Sequence, residues 1–388
     1  MKIDIVVKEE HFGPHLKPVW DALPVELKGN FFMMRGHNID VPRADKIIHR
    51  NSAGLLEQLK NREQNNLILV AGYGDLSRLK ERQYPMILME HGSGQRYICN
   101  HPSYSSGKGA KHNVMLFLSP NEYNAIGHRE NYPTTPVEVI GCPKLDSWAS
   151  KPKPQNKLPV VCISFHWDGR IVPETRSTWD YYKDTLEELS QCKEFNLIGH
   201  GHPRIFGKVK KQYDKLGIPY YKTFNEVVEI ADVYVCDNSS TIFEFAYLNR
   251  PVVVLNAPYY RRNVEHGLRF WEFSDIGFNC DYPKDLKDTI LTAIYDDHLK
   301  EARRKEIIEQ IYPYRGYASQ VAAGKLMDFV EKFPYSLDEL NEELRKRIYN
   351  YRHTISPFYS KKMTTQVEPP KRSNQKIHDL QRQKARLR

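Results

Sequence analysis

Short, nearly continuous apolar runs recur along this chain, and most give way at once to glycine, histidine or hydroxyl residues. "IDIVV" (3–7), "NLILVAG" (66–72), "PMILME" (85–90), "VMLFLS" (114–119) and "VEVIG" (137–141) form a first set. "VVCIS" (160–164), "FNLIG" (195–199), "IPYY" (218–221), "DVYVC" (232–236) and "PVVVLN" (251–256) form a second. A strand that is apolar on both faces must be covered on both faces, as in a parallel sheet with helices on either side. Amphipathic stretches at 53–62, 120–130, 178–190, 204–216, 240–248 and 284–295 supply such helices. The second of these reads with Ser119 as N-cap and Pro120 at the first helical position. Between the two sets lies "SKPKPQNKLP" (150–159), rich in Pro and Lys and without apolar period, which reads as a linker. The pattern predicts an α/β protein of two doubly wound, Rossmann-like domains facing a cleft.

The expected division is a first domain at 1–149, the linker at 150–159 and a nucleotide-binding second domain at 160–335. A C-terminal helix at 336–360 and a basic, disordered tail at 361–388 follow. Residues 300–351 read as charged helices that pack back across both domains. A chain of 388 residues suits two domains, and 24 Tyr, 16 Phe and 5 Trp can fill two cores. Nine Lys/Arg against Glu368 and Asp379 give the tail +7 of the net +9, so the basicity belongs to the tail and the body is nearly neutral. No apolar run reaches the roughly 18 residues that a membrane span needs. "MKIDIVVKEEHFG" lacks a signal-peptide core, so a cytoplasmic location is expected, peripheral to membrane or nucleic acid if the tail docks there. The six cysteines stand singly, with no C-x-x-C pair, and read as small buried hydrophobes. "CNH" (99–101) has no second pair at ligand spacing, and no metal is expected.

Ligands of open α/β sheets bind beyond the carboxyl ends of strands. His91-Gly92-Ser93-Gly94 follows "PMILME", and His200-Gly201-His202-Pro203-Arg204 follows "FNLIG". Asp237-Asn238-Ser239-Ser240-Thr241 follows "DVYVC", and Phe165-His166-Trp167-Asp168-Gly169-Arg170 follows "VVCIS". A helix cap needs one hydroxyl; Ser239, Ser240 and Thr241 offer three, where a helix N-terminus also presents unpaired N–H groups suited to phosphate. Pro203 fits the first turn of a helix, which places His202 at its entrance, able to donate to a phosphate oxygen beside Arg204. His91 lies in the other half of the chain, where a histidine can take a proton from an attacking hydroxyl. Glu244, one helical turn beyond Ser240, is placed to accept ribose hydroxyls. "AGYGD" (71–75) carries only a bare G-x-G, and no cofactor is assigned to it.

These motifs together resemble the CDP-glycerol glycerophosphotransferase family of teichoic-acid synthesis. "HG" follows a mid-sheet strand of the first half, and "HP" follows a strand of the second. The third motif is "D-x-S-S-x-x-F-[DE]-F-x-x-L-x-[KR]-P", here Asp237, Ser239, Ser240, Phe243, Glu244, Phe245, Leu248, Arg250 and Pro251. "GCPKLD" (141–146) is similar to the family's "G-x-P-x-x-D". The resemblance covers roughly residues 85–295 and implies the two-domain GT-B architecture. It also implies that His91 is the general base, with Gly92, Ser93 and Arg96 on the acceptor side. His202, Ser239 and Ser240 would hold the donor phosphates, without a metal. The transferase would take a nucleotide-diphosphate donor, CDP-glycerol-like, and a polyol, glycan or nucleic-acid acceptor. Two alternatives remain open on sequence. One is a nucleotide-sugar glycosyltransferase acting on a polyanion such as nucleic acid, held by the basic tail. The other is a non-catalytic nucleotide-binding module.

Overall fold

In the computed structural model the apolar runs become two parallel sheets. The structure describes residues 1–42, 45–49, 52–60, 66–72, 84–93, 111–169, 173–260, 273–333 and 335–350. Among the described residues seven strands form the first sheet: β1 (Ile3–Val7), β2 (Lys28–Met34), β3 (Lys46–His49), β4 (Leu67–Val70), β5 (Met86–Met89), β6 (Val114–Ser119) and β7 (Val137–Val139). Their order is β3-β2-β1-β4-β5-β6-β7. The second sheet holds β8 (Val160–Phe165), β9 (Asn196–Gly201), β10 (Val233–Cys236), β11 (Val252–Leu255) and β12 (Phe278–Cys280) in the order β12-β11-β10-β8-β9. Both orders are doubly wound. They reverse direction between β1 and β4 in one sheet and between β8 and β10 in the other, which is where such sheets open a crevice. The expected α/β architecture of two facing Rossmann-like domains is borne out.

Every residue of β1, β4, β5, β6, β10 and β11 is buried. Each apolar side chain so placed contributes about 1.5–3 kcal/mol over leaving it in water. Helix Gly13–Ala22 covers one face of the first sheet through Leu16, Val19 and Trp20. On the other face lie Leu55 and Leu59 of helix Ser52–Lys60.

Two local expectations need correction. "IPYY" is no strand: it contributes one isolated bridge, Gly199 to Tyr220, because it lies beyond the edge strand β9 and turns straight into the next helix. The helix after β6 begins at Glu122, and its cap is Asn121 rather than Ser119. Ser119 is still paired in β6, whereas Asn121 Oδ1 accepts the Asn124 N–H at 2.8 Å.

After the second sheet the chain crosses back. Helix His298–Ile311 packs Ile307, Ile308 and Ile311 into the core of the second domain. Helix Ala318–Glu331 packs Ala322, Ala323 and Leu326 into the core of the first. The carboxylate of Asp146 caps the returning helix, accepting the N–H of Ala318 at 2.9 Å and of Ser319 at 2.7 Å. Gly141, at φ +74°, admits the passing Pro313 carbonyl, which would stand 2.3 Å from a Cβ there. Leu340 and Leu344 of helix Leu337–Asn350 pack against Met115 of β6. No described helix is long and apolar enough to cross a membrane.

Candidate active site

The carboxyl ends of β8, β9 and β10 build one wall of the interdomain cleft. Asp237, the first residue past β10, is fully buried. It accepts the N–H of His166 at 2.8 Å, the N–H of Thr178 at 2.9 Å, and the Ser177 and Thr178 hydroxyls at 3.3 Å each. Burial pushes its carboxyl above the usual range even though these donors favour the anion. Asn238 donates to the carbonyls of Glu174 at 2.9 Å and Arg176 at 2.7 Å. Both residues therefore anchor the loop that follows β8.

The three hydroxyls divide their roles. Ser239 Oγ accepts the Thr241 N–H at 3.3 Å and the Thr241 hydroxyl at 2.7 Å, and Tyr234 stands 2.8 Å from Thr241 Oγ1. These bonds lie one residue ahead of the N-cap of helix Thr241–Ala246, which is Ser240 and makes no side-chain capping bond. Ser240 Oγ has no hydrogen-bond partner among the described residues and points across the cleft. A Cβ on Gly92 would lie 2.9 Å from it, and 3.9 Å from Glu244 Oε1. Gly92 sits at φ +63°, so its missing side chain and its backbone both serve this contact.

Glu244 is 3% exposed and receives Lys144 Nζ at 2.6 Å on Oε2. The carboxylate assigned from sequence to a ribose is thus engaged with a lysine from the "GCPKLD" stretch. The remaining motif residues are structural. Phe243 and Phe245 fill the core. Buried Arg250 donates to the carbonyls of Val228 at 2.6 Å, Ala231 at 3.1 Å and Pro152 at 2.8 Å, tying the linker to the second domain.

His202 caps helix Pro203–Leu216, its Nδ1 accepting the Arg204 N–H at 3.2 Å. That bond leaves the proton on Nε2, so the ring is a donor through that nitrogen. Burial, then the charges of His11, Arg204 and His200, hold it down at about 3, neutral at physiological pH. Its ring lies 4.8 Å from that of His166, and Arg204 stacks 4.6 Å over Trp167. His200, on β9, contacts Ser164 Oγ at 2.9 Å and is pushed down to about 4 by burial and then Lys144. It belongs to the wall behind the cleft.

On the first domain His91 follows β5. Its Nδ1 lies 2.8 Å from the Ala71 carbonyl, which can only accept, so Nδ1 carries the proton and Nε2 is the basic nitrogen. The ring packs 4.8 Å from Phe12, 5.9 Å from His15 and 6.3 Å from His11. Ser93 is buried, and its carbonyl accepts from Asn121 at 2.9 Å. Arg96, Gly94 and Arg170 lie outside the described residues, as does the tail.

Gly92, Ser240 and Glu244 are thus brought together across the cleft, with His91 beside them. No direct contact joins His91 to His202 among the described residues. His11 stands between them, packed near His91 and electrostatically coupled to His202 and Arg204, and burial lowers its pKa. Sequence reading missed His11, His15 and Lys144. The available signal was position: His11 follows β1, at the reversal point of the first sheet.

Known proteins resemble this chain in two ways. Residues 174–329 match the CDP-glycerol:poly(glycerophosphate) glycerophosphotransferase family. The match spans the site-bearing part of the second domain, and the resemblance read from the motifs is borne out there. Among solved structures, the wall teichoic acid polymerase TagF soaked with CDPG aligns at a TM-score of 0.60 and 13% identity, over 86% of this chain and 90% of its own. The S. aureus MnaA–UDP structure aligns at 0.59 and 14%, over 86% and 97%. UDP-GlcNAc 2-epimerase from Neisseria meningitidis bound to UDP-GlcNAc aligns at 0.55 and 14%, over 84% and 100%. At such identities the structures share the fold, which is GT-B-like. No curated protein matches the chain in sequence. Family match and fold together support a GT-B-type transferase.

Proposed function

We infer that this chain transfers a glycerophosphate-type group from a CDP-glycerol-like donor to an acceptor hydroxyl. The observation that carries the reading is the facing pair. Ser240, at a helix entrance of the nucleotide-side domain, meets Gly92, whose neighbour His91 has Nε2 fixed as its basic nitrogen. In the reaction the acceptor oxygen attacks the phosphorus that bears the glycerol. A new O–P bond forms, the bond to the bridging oxygen breaks, and CMP leaves with that electron pair. The acceptor proton passes to His91 Nε2. The His202 Nε2–H, the Arg204 guanidinium and the Ser240 hydroxyl neutralise charge on the phosphates, which this reading assigns to protein donors rather than to a metal.

The test uses CDP and UDP in a thermal-shift panel, where a ligand at 100 times its Kd stabilises by about 2.7 kcal/mol. CMP release from CDP-glycerol is then followed with glycerol as acceptor probe. His91→Ala should keep CDP binding and lose turnover by about 10²–10⁴-fold, as expected for a general base. His202→Ala should weaken CDP binding. Consumption of a UDP-sugar with no turnover of CDP-glycerol would move the reading to glycosyl transfer.

A further inference from the structure

Lys144 is a cation that joins the two domains at the cleft, and the facing pair does not account for it. It leaves the first domain just after β7 and reaches Glu244 of the second, with side chains only 14% and 4% exposed. Its ammonium lies 5.6 Å above the Trp148 ring and 5.8 Å from the Phe224 ring, so aromatic faces confine it as well as the carboxylate. Glu244 follows Ser240 by one helical turn, and its N–H donates to the Ser240 carbonyl at 3.1 Å. The same carboxylate faces Gly92. A buried pair in this position fixes geometry more than it adds stability, since both charges have lost water to form it.

We propose that Lys144 is a positioning residue for the transfer step: by holding Glu244 it seats Ser240 against Gly92, and so sets the donor phosphates in register with His91. This rests on the functional reading above. The nucleotide would be held mainly by the second domain, so a register fault should spare nucleotide affinity and slow the transfer. Lysine is long enough to span the domains, and its charge is required at the far end; arginine would keep both properties.

The experiment uses the full chain, calorimetry with CDP, and CMP release from CDP-glycerol with glycerol. Lys144→Met should lower kcat by about tenfold or more while changing the Kd for CDP by less than about threefold. Lys144→Arg should recover most of the loss. Glu244→Gln should resemble Lys144→Met, and the double variant should be no slower than the worse single one, because the two act as a unit. The double variant also guards against misfolding, since it leaves no unpaired buried charge. A wild-type kcat in Lys144→Met or in the double variant overturns the proposal. So does a loss of CDP affinity that parallels the loss of kcat in the double variant. Wild-type protein that neither binds CDP nor releases CMP overturns the functional reading, and this inference with it.

Discussion

Replacing Ser239 with alanine removes the acceptor for both the N–H and the hydroxyl of Thr241, and should cost about 1 kcal/mol of stability, as for other lost hydrogen bonds. Ser240→Ala should leave the urea midpoint unchanged and weaken CDP binding several-fold. Urea unfolding and calorimetry on both variants check the division, and the reverse outcome would exchange their roles. His200 offers a second test at this scale. Burial holds its folded pKa at about 4 against 6.5 in the unfolded chain. Between those values the unfolded state binds more protons, so the stability it contributes is complete above pH 6.5 and is lost as pH falls towards 4. The size is about 3 kcal/mol. His200→Gln should therefore flatten the fall in urea midpoint between pH 7 and 4.5; an unchanged slope would place the acid lability in the other buried histidines.

Among the elements, helix Ala318–Glu331 depends on a cap supplied from another part of the chain. Asp146→Ala strips two N–H groups of their acceptor and removes a carboxylate from the positive end of the helix. The expected cost is about 1–2 kcal/mol, read from urea unfolding. Both sheets were legible in the sequence wherever a strand is apolar throughout. β2 escaped because it opens on Lys28, Gly29 and Asn30, and β3 because only Ile47 and Ile48 are apolar. β12 is three residues long. Helix Gly13–Ala22 was hidden by Pro14, which sits in its first turn, and by Pro18 within it. Of the site, His91, His202 and Ser240 could be found because each stands directly after a strand or at a helix entrance. Lys144 and His11 could not, because their significance comes from contacts between domains, which no local period records.

For the whole molecule, charge and site are separate in sequence. Every proposed site residue precedes residue 300, whereas residues 361–388 carry +7 of the net +9. A chain ending at Ser360 should bind CDP as the full chain does. It should also lose association with DNA, RNA or anionic vesicles that weakens between low and moderate salt. Equal binding of all three surfaces by both proteins at low salt would reduce the tail to a solvated end.

The returning helix also fixes an order of events during synthesis. Ala322, Ala323 and Leu326 complete the core beneath a sheet whose last strand ends at Val139. Roughly 190 residues separate that strand from the end of the helix, about 10–40 s at a ribosome's usual 5–20 residues per second. A first domain that folds during that interval would present an uncovered apolar face beside Leu16, Val19 and Trp20, where Ala322, Ala323 and Leu326 pack in the finished fold. A chaperone that recognises such a face has its longest opportunity here, and the domain is released from that need only when the other one has already been made.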